Sequence, residues 1–173
     1  MRGMLYNSTK IEACIQIEIS TAEIYHAFAK RFPGARQFWE AIAREEENHA
    51  LVLIAARRYN AAGRMTGFFA PLSMDMIKET LDGVKGARKR LEDEGLTMRD
   101  ALETALMLEE SVVESYFKDA FSSEPDSEVI SVLKKLLLDS KRHAEKITGL
   151  MDELGIPHKA FNPLLPGISP ETK

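Results

Sequence analysis

Three glutamates and two histidines fall on helical faces that are otherwise apolar: Glu18, Glu46, His49, Glu109 and His143. Glu46 and His49 are three residues apart, which places a carboxylate and an imidazole on one face of a helix, one turn apart. An ionised carboxylate in a core costs several kcal/mol unless it is paired or coordinated. Carboxylate oxygens and imidazole nitrogens together suit iron or manganese, with zinc as an alternative. The pattern therefore favours a buried metal centre.

Each of these residues alone has an ordinary explanation. A single glutamate at the edge of an apolar stripe extends its carboxylate to water, and a single core histidine is usually hydrogen bonded. The acidic run Glu45-Glu46-Glu47 alone is typical of a solvated surface. The ordered combination of all five residues is what favours metal binding over these explanations.

An internal repeat contains the same residues. Segment 18–25 aligns with segment 109–116, and Glu, Ser, Glu and Tyr recur at the same offsets. Further along, His49 matches His143, and an alanine follows each. Each half of the chain thus supplies a glutamate, a tyrosine seven residues later and a histidine in the next helix. Two such halves, related by a pseudo-twofold axis, would face each other across one metal site.

The elements that position these residues are predicted to be helices, because no alternating strand pattern of useful length occurs. Asn7, Ser8 and Thr9 offer an N-cap, Pro33-Gly34 is a break, and Thr97 with Asp100 resembles a capping box. Gly63, Gly95 and Gly155 stand where helices are expected to end. The expected helices span about residues 10–32, 35–62, 73–94 and 97–121, followed by a last helix that ends near Leu154.

Connection lengths predict the topology. Tight turns at 33–34 and 122–126 make antiparallel hairpins of the first two and the last two long helices. The link from Gly63 to Leu96 carries its own helix and is long enough to run back along the bundle. One long crossover between two hairpins is the ferritin-like variant of the four-helix bundle. We therefore expect an all-α fold, with this bundle over residues 1–155 and a tail over 156–173.

Composition excludes several other classes of protein. The 173 residues include 27 acidic and 23 basic side chains with no long basic block, which argues against nucleic-acid binding. The longest apolar run, residues 50–56, is far too short to span a membrane, and the N-terminus has no signal core. Cys14 is the one cysteine, so the chain has no intrachain disulfide and no rubredoxin-type iron site. A cytoplasmic single domain is expected.

Over residues 10–154 the chain resembles the rubrerythrin branch of the ferritin-like di-iron carboxylate proteins. The matching positions are Glu18 and Tyr25, the run Glu45-Glu46-Glu47-Asn48-His49-Ala50, Glu109 and Tyr116, and His143-Ala144. The resemblance implies that Glu18 and His49 hold one metal ion, that Glu109 and His143 hold a second, and that Glu46 bridges them. It further implies that Tyr25 and Tyr116 donate hydrogen bonds to ligand carboxylates of the opposite hairpin, and that the protein is a homodimer or larger homo-oligomer.

One position departs from the family pattern. Where the family has a second bridging glutamate, three residues before His143, this chain has Ser140. Asp139 is about 40° from His143 around the helix, and two alternatives are open for it: its carboxylate reaches the metal, directly or through water, or it faces solvent. The second metal position therefore depends on a residue that the pattern does not supply.

Two functions follow from the resemblance. One is an oxidoreductase with two iron ions that reduces peroxide or dioxygen, or oxidises ferrous iron, and takes electrons from an external donor. The other is a non-catalytic metal-binding protein, a store, sensor or structural remnant, with one ion if the second position is degraded; Ser140 favours it. A metal-free helical interaction module is the weakest alternative, because it leaves buried glutamates unpaired.

Overall fold

The computed structural model describes residues 2–61, 74–111 and 128–158. These residues form five α-helices and one short 3₁₀ helix, and the described parts of the chain contain no strand. The predicted all-α class is confirmed. The helices are α1 (Arg2–Arg31), α2 (Arg36–Ala61), α3 (Met74–Arg90), α4 (Met98–Glu109) and α5 (Glu128–Glu153), and the 3₁₀ helix covers Pro33–Ala35.

Helices α1 and α2 form an antiparallel hairpin. Phe32 and the 3₁₀ helix make the turn, in which Pro33 cannot donate a helical hydrogen bond. Contacts along the pair run in opposite directions: Trp39 packs on Tyr25 near the turn, and Arg57 pairs with Glu12 far from it. His49 and Glu18 therefore meet midway along the hairpin.

Helix α5 lies against both α2 and α4, and α3 packs on α1. The contacts between α2 and α5 are also antiparallel, since Lys146 pairs with Glu45 and Asp139 lies near His49. This arrangement brings the middle of α1, the middle of α2, the end of α4 and the middle of α5 into one region. The candidate residues of the sequence lie there.

Aromatic rings fill the core between that region and the hairpin turn. Tyr25, Phe28 and Trp39 are almost fully buried, and their ring centroids lie 4.9–6.3 Å apart. Side chains of this size contribute most of the apolar area that a core removes from water.

Among the described residues, none of the helices combines the length and the hydrophobicity that a membrane-spanning segment requires.

Three helix boundaries differ from the predicted ones. Helix α1 already begins at Arg2, so Asn7, Ser8 and Thr9 lie inside it and do not cap it; such residues are only mildly unfavourable within a long helix. Helix α3 ends at Arg90 rather than near Glu94, because the chain tightens into turns that bond Leu91 and Glu92 three residues back. Helix α4 ends at Glu109, where Glu110 caps it by donating its amide to the Leu106 carbonyl, so the predicted continuation to about residue 121 is wrong at 110–111; residues 112–121 lie outside the described part of the chain.

Two predicted helix ends are confirmed. Thr97 and Asp100 form a reciprocal capping box at the start of α4: the Asp100 amide donates to Thr97 Oγ1 and the Thr97 amide donates to the Asp100 carboxylate. Gly155 has a positive φ of 65° after α5, and the Ile156 amide donates to the Met151 carbonyl. A left-handed residue there favours glycine.

Replacing Thr97 by Ala should lower the free energy of unfolding by about 1 kcal/mol, because the cap of α4 loses its side-chain acceptor. Thr97→Ser keeps the hydroxyl and serves as the matched control. Chemical denaturation followed by circular dichroism measures both variants. Equal stability of the Ala and Ser variants would show that the cap does not hold α4.

Candidate metal centre

Two groups of buried side chains converge in the middle of the helices. In each group, one ligand atom from every residue lies within 4.8 Å of the others. The first group is Glu18, Glu46 and His49, and the second is Glu46, Glu109 and His143. All five side chains come from four different helices, and all are buried.

The first group joins α1 to α2. Nδ1 of His49 lies 3.0 Å from Oε2 of Glu46 and 3.6 Å from Oε2 of Glu18. Glu46 and His49 come from one turn of α2, so their mutual position follows from helix geometry alone. Glu18 reaches them because the hairpin places it at the same height.

The second group joins α2, α4 and α5. Nδ1 of His143 lies 2.6 Å from Oε1 of Glu46 and 3.4 Å from Oε1 of Glu109. The two imidazole rings are stacked, with centroids 5.6 Å apart. Glu46 is thus common to both groups, and each of its two oxygens faces a different histidine.

Several atoms of the site have no hydrogen-bond partner among the described residues. These are Oε1 of Glu46, Oε2 of Glu109, Nδ1 of His143 and Nε2 of His49. The first and third lie only 2.6 Å apart, yet they are not aligned as donor and acceptor. Buried polar atoms are nearly always paired, so these four atoms are the ones in the site that a bound cation or a proton could still satisfy.

The site changes the acid–base behaviour of its members. Burial, together with the charge of Glu46, raises the pKa of Glu18 to about 8, against the contact with His49. Burial alone would raise the pKa of Glu46, but its contacts with His143 and His49 outweigh burial and hold that pKa well below its usual value. Burial and the charge of Glu46 also raise the pKa of Glu109. These carboxylates repel one another and need positive charge nearby.

Both histidines supply that positive charge when they are protonated. Burial alone would lower their pKa values, but the adjoining glutamates outweigh it and raise the pKa of His49 to about 10 and that of His143 to about 11. Without metal ions, the imidazolium protons therefore compensate the buried carboxylates. Metal ions would have to displace these protons, because an imidazole binds a metal in its neutral form.

A second layer of carboxylates lies on the outer side of the rings. Nε2 of His143 donates to Oε2 of Glu45 over 2.7 Å, and Nε2 of His49 lies 3.8 Å from Oδ2 of Asp139. Glu45 is on α2 and Asp139 on α5, so each helix supplies a carboxylate to the other helix's histidine. At His143, a proton held on Nε2 by Glu45 leaves the lone pair of Nδ1 directed at the glutamates, which is how outer carboxylates orient metal-binding histidines.

A regular spacing in the sequence indicates this second layer of carboxylates, although the sequence prediction above does not include it. An acidic residue precedes each histidine by four positions, Glu45 before His49 and Asp139 before His143. On a helix these positions share a face, but the structure pairs each acid with the histidine of the other helix. Glu45 was predicted only as part of an acidic run, and no role was assigned to it.

Asp139 is the residue for which two alternatives are open, a carboxylate that reaches the metal and a carboxylate that faces solvent. Asp139 is buried, not solvent-facing, and it belongs to neither ligand group. Its carboxylate pairs with Lys135 at 2.8 Å and Arg142 at 3.0 Å, and these cations hold its pKa low even though burial opposes this. The neighbouring Ser140 hydroxyl donates to the Leu136 carbonyl within α5 at 3.4 Å.

Tyr25 contacts the site from α1. Its hydroxyl donates to Oε1 of Glu109 over 2.7 Å, and the bond is buried. Tyr25 belongs to the first half of the repeat and Glu109 to the second, so this bond crosses between the halves. Tyr116, the corresponding tyrosine, lies outside the described residues.

Cys14 lies one turn before Glu18 and is buried. Burial and the charge of Glu18 raise the pKa of its thiol, so the sulfur stays protonated. It is in neither group of converging ligand atoms, which agrees with an inert core thiol.

Comparison of the chain with models of protein families, with curated proteins and with solved structures finds no match. The arrangement of the side chains must therefore carry any functional conclusion.

Replacing Tyr25 by Phe should lower the free energy of unfolding of the metal-free protein by about 1–3 kcal/mol, because the buried Glu109 carboxyl group loses its donor. The same replacement in a Glu109→Ala background should cost far less, since the acceptor is already gone. A double-mutant cycle by chemical denaturation measures the difference. Identical costs in the two backgrounds would show that the bond contributes nothing.

Proposed function

We propose that this protein is a ferritin-like, rubrerythrin-type carboxylate protein that holds two metal ions at its centre. The observation that carries the proposal is the position of Glu46, whose two oxygens face the Nδ1 atoms of two different histidines at 3.0 and 2.6 Å. A carboxylate in this position could bridge two metal ions, with one oxygen bound to each. Glu18 and His49 would complete one position, and Glu109 and His143 the other.

The donor set fits iron or manganese, with zinc as an alternative. Each position offers two carboxylates and one imidazole, a hard and borderline set that suits iron or manganese and that zinc also accepts. Three protein ligands for each ion leave open positions for water or substrate, as in catalytic sites. The outer carboxylate of Glu45 orients His143 and increases its basicity, while Asp139 lies 3.8 Å from the corresponding nitrogen of His49.

The charges of the site support a pair of divalent ions. Three glutamates with two neutral histidines carry three negative charges, and two divalent cations carry four positive ones. The excess of one positive charge is small enough for a core that also contains the outer carboxylates. A single divalent ion would leave the other half of the site anionic unless its histidine stayed protonated.

The reaction that this centre supports best is reduction of peroxide or dioxygen, or oxidation of ferrous iron. When bound, two ferrous ions supply the two electrons that convert a peroxide and two protons into an alcohol or water and a second water. The chain's own residues bury the site, exclude bulk water and, through Glu45, keep a proton on the outer nitrogen of His143. An external electron donor would restore the centre, because Cys14 alone forms no rubredoxin-type site.

A non-catalytic metal-binding role is the second candidate, and Ser140 favours it. Ser140 stands where a rubrerythrin-like protein would have a second bridging glutamate, and Asp139 is occupied with Lys135 and Arg142. A centre with one protein bridge holds its second ion more weakly. Under this proposal the protein is a store, sensor or remnant with one firmly bound ion.

In either role, we propose that the protein forms a homodimer or larger homo-oligomer in the cytoplasm.

Replacing Glu46 by Ala should abolish metal binding, because both positions lose a ligand. Glu47→Ala removes the adjacent, exposed glutamate, which pairs with His26, and should leave metal content unchanged. Elemental analysis after reconstitution with ferrous iron measures both variants and the wild type. Equal, negligible metal in the wild type and the Glu46 variant would refute the proposal.

The metal count separates the two roles. Two ions per chain with peroxide-dependent oxidation of the centre support the oxidoreductase. One ion per chain without turnover supports the metal-binding role and excludes the first.

Replacing Ser140 by Glu should raise the occupancy of the second position toward one ion per site, because it adds a carboxylate three residues before His143. Isothermal titration with manganese or ferrous ions gives the stoichiometry. Leu138→Glu adds the same single negative charge at an exposed position of the same helix and is the control. An unchanged stoichiometry in Ser140→Glu would contradict the idea of a lost ligand.

A further inference from the structure

A pocket of about 480 Å³ opens between α2 and α5, beside the candidate metal centre but outside its ligand groups. Its inner wall includes His49 and the outer carboxylates Glu45 and Asp139. The side chains of Lys135, Arg142 and Lys146 stand around it, and all three are partly exposed. The metal proposal assigns no role to these cations.

One buried polar atom in the wall has no partner. Nε2 of His49 has no hydrogen-bond partner among the described residues, and the side chain is only 5% exposed. Asp139 lies 3.8 Å away, too far for a direct hydrogen bond. Nε2 is the ring nitrogen on the side away from Glu46 and Glu18, which face Nδ1. It is therefore a buried polar atom that still requires a hydrogen-bond partner.

Positive charge exceeds negative charge at the same end of the pocket. Asp139 is paired with two cations, Lys135 and Arg142, so that this group carries one excess positive charge. At the other end Glu45 is matched by Lys146, at 2.8 and 3.1 Å, and also accepts from His143. The carboxylates of the wall are thus compensated already, and the excess charge lies beside Nε2 of His49.

We propose that this pocket binds the oxyanion group of a small organic anion. A carboxylate or phosphate oxygen there would accept from Nε2 of His49 and interact with the guanidinium of Arg142 and the ammonium of Lys135. Val52 and Leu136 add apolar surface to the lining. The ligand therefore combines one negative head group with a short apolar body. Its binding touches the outer side of a proposed metal ligand and would couple an organic substrate or effector to the centre.

The test uses the full chain, first without added metal, and three probes: benzoate, acetate and inorganic phosphate. Isothermal titration gives the affinities, and backbone amide NMR shifts locate the bound probe. We expect saturable binding with shifts centred on Asn48, His49, Leu136 and Arg142. Benzoate should bind several-fold more tightly than acetate because of the apolar walls. Tighter binding of phosphate than of both carboxylates would identify a phosphate head group.

Arg142→Gln and Lys135→Gln should each weaken binding at least about tenfold, because a charged partner is lost. Lys141→Gln removes the same charge from the adjacent exposed position, where the side chain pairs with Glu145, and should bind like the wild type. Circular dichroism verifies that all three variants are folded. Absence of saturable binding, or equal weakening by Lys141→Gln, would overturn the proposal.

Repeating the titration after addition of zinc separates this inference from the metal proposal. Binding that occurs without metal supports the pocket even if Glu46→Ala and wild type prove equally metal-free. Binding that occurs only with metal would mean that the anion coordinates the ion directly, and would overturn the pocket proposal.

Discussion

Negative charge in the interior is the constraint on which the rest of this structure depends. Glu18, Glu46 and Glu109 are buried, and each ionised carboxylate there costs several kcal/mol unless a positive charge or a hydrogen-bond donor compensates it. Positive charge has to accompany them. Two imidazolium rings provide it when no metal is bound. The adjoining glutamates raise the pKa values of both rings far above the ordinary range for histidine.

The surroundings of the centre are graded in polarity. Glutamates and histidines meet in the middle, carboxylates follow behind the rings, and lysine and arginine at the surface neutralise those carboxylates. Each layer compensates the charge of the one inside it. On the hairpin side, Tyr25 donates to Glu109 and packs against Trp39, so the same residue ends the polar region and begins the aromatic core. A rigid apolar core on this side keeps the glutamates from moving toward water.

The all-α class could be predicted from the sequence because the signals for helices are local, and the five central residues could be singled out because each interrupts an apolar stripe. Apolar periodicity, the capping box at Thr97 and the glycine after α5 each act within one or two turns. Pairings between helices were harder. No local pattern predicts that Glu45 accepts a hydrogen bond from His143 rather than from His49, four residues after it. That pairing depends on how α2 and α5 align. The same holds for Asp139, whose position depends on Lys135 and Arg142 as much as on the centre.

The exchange of outer carboxylates between α2 and α5 fixes the axial alignment of these two helices. Sliding one helix along the other by a single residue, about 1.5 Å, would carry Glu45 away from His143 and Asp139 away from His49 at the same time, because all residues of a helix move together. A slide therefore lengthens the Glu45–His143 and Asp139–His49 distances together. An insertion or deletion of one residue within either helix would act as such a slide, and would also rotate the faces by about 100°. Helix length here is therefore far less tolerant of change than side-chain identity on the outer faces.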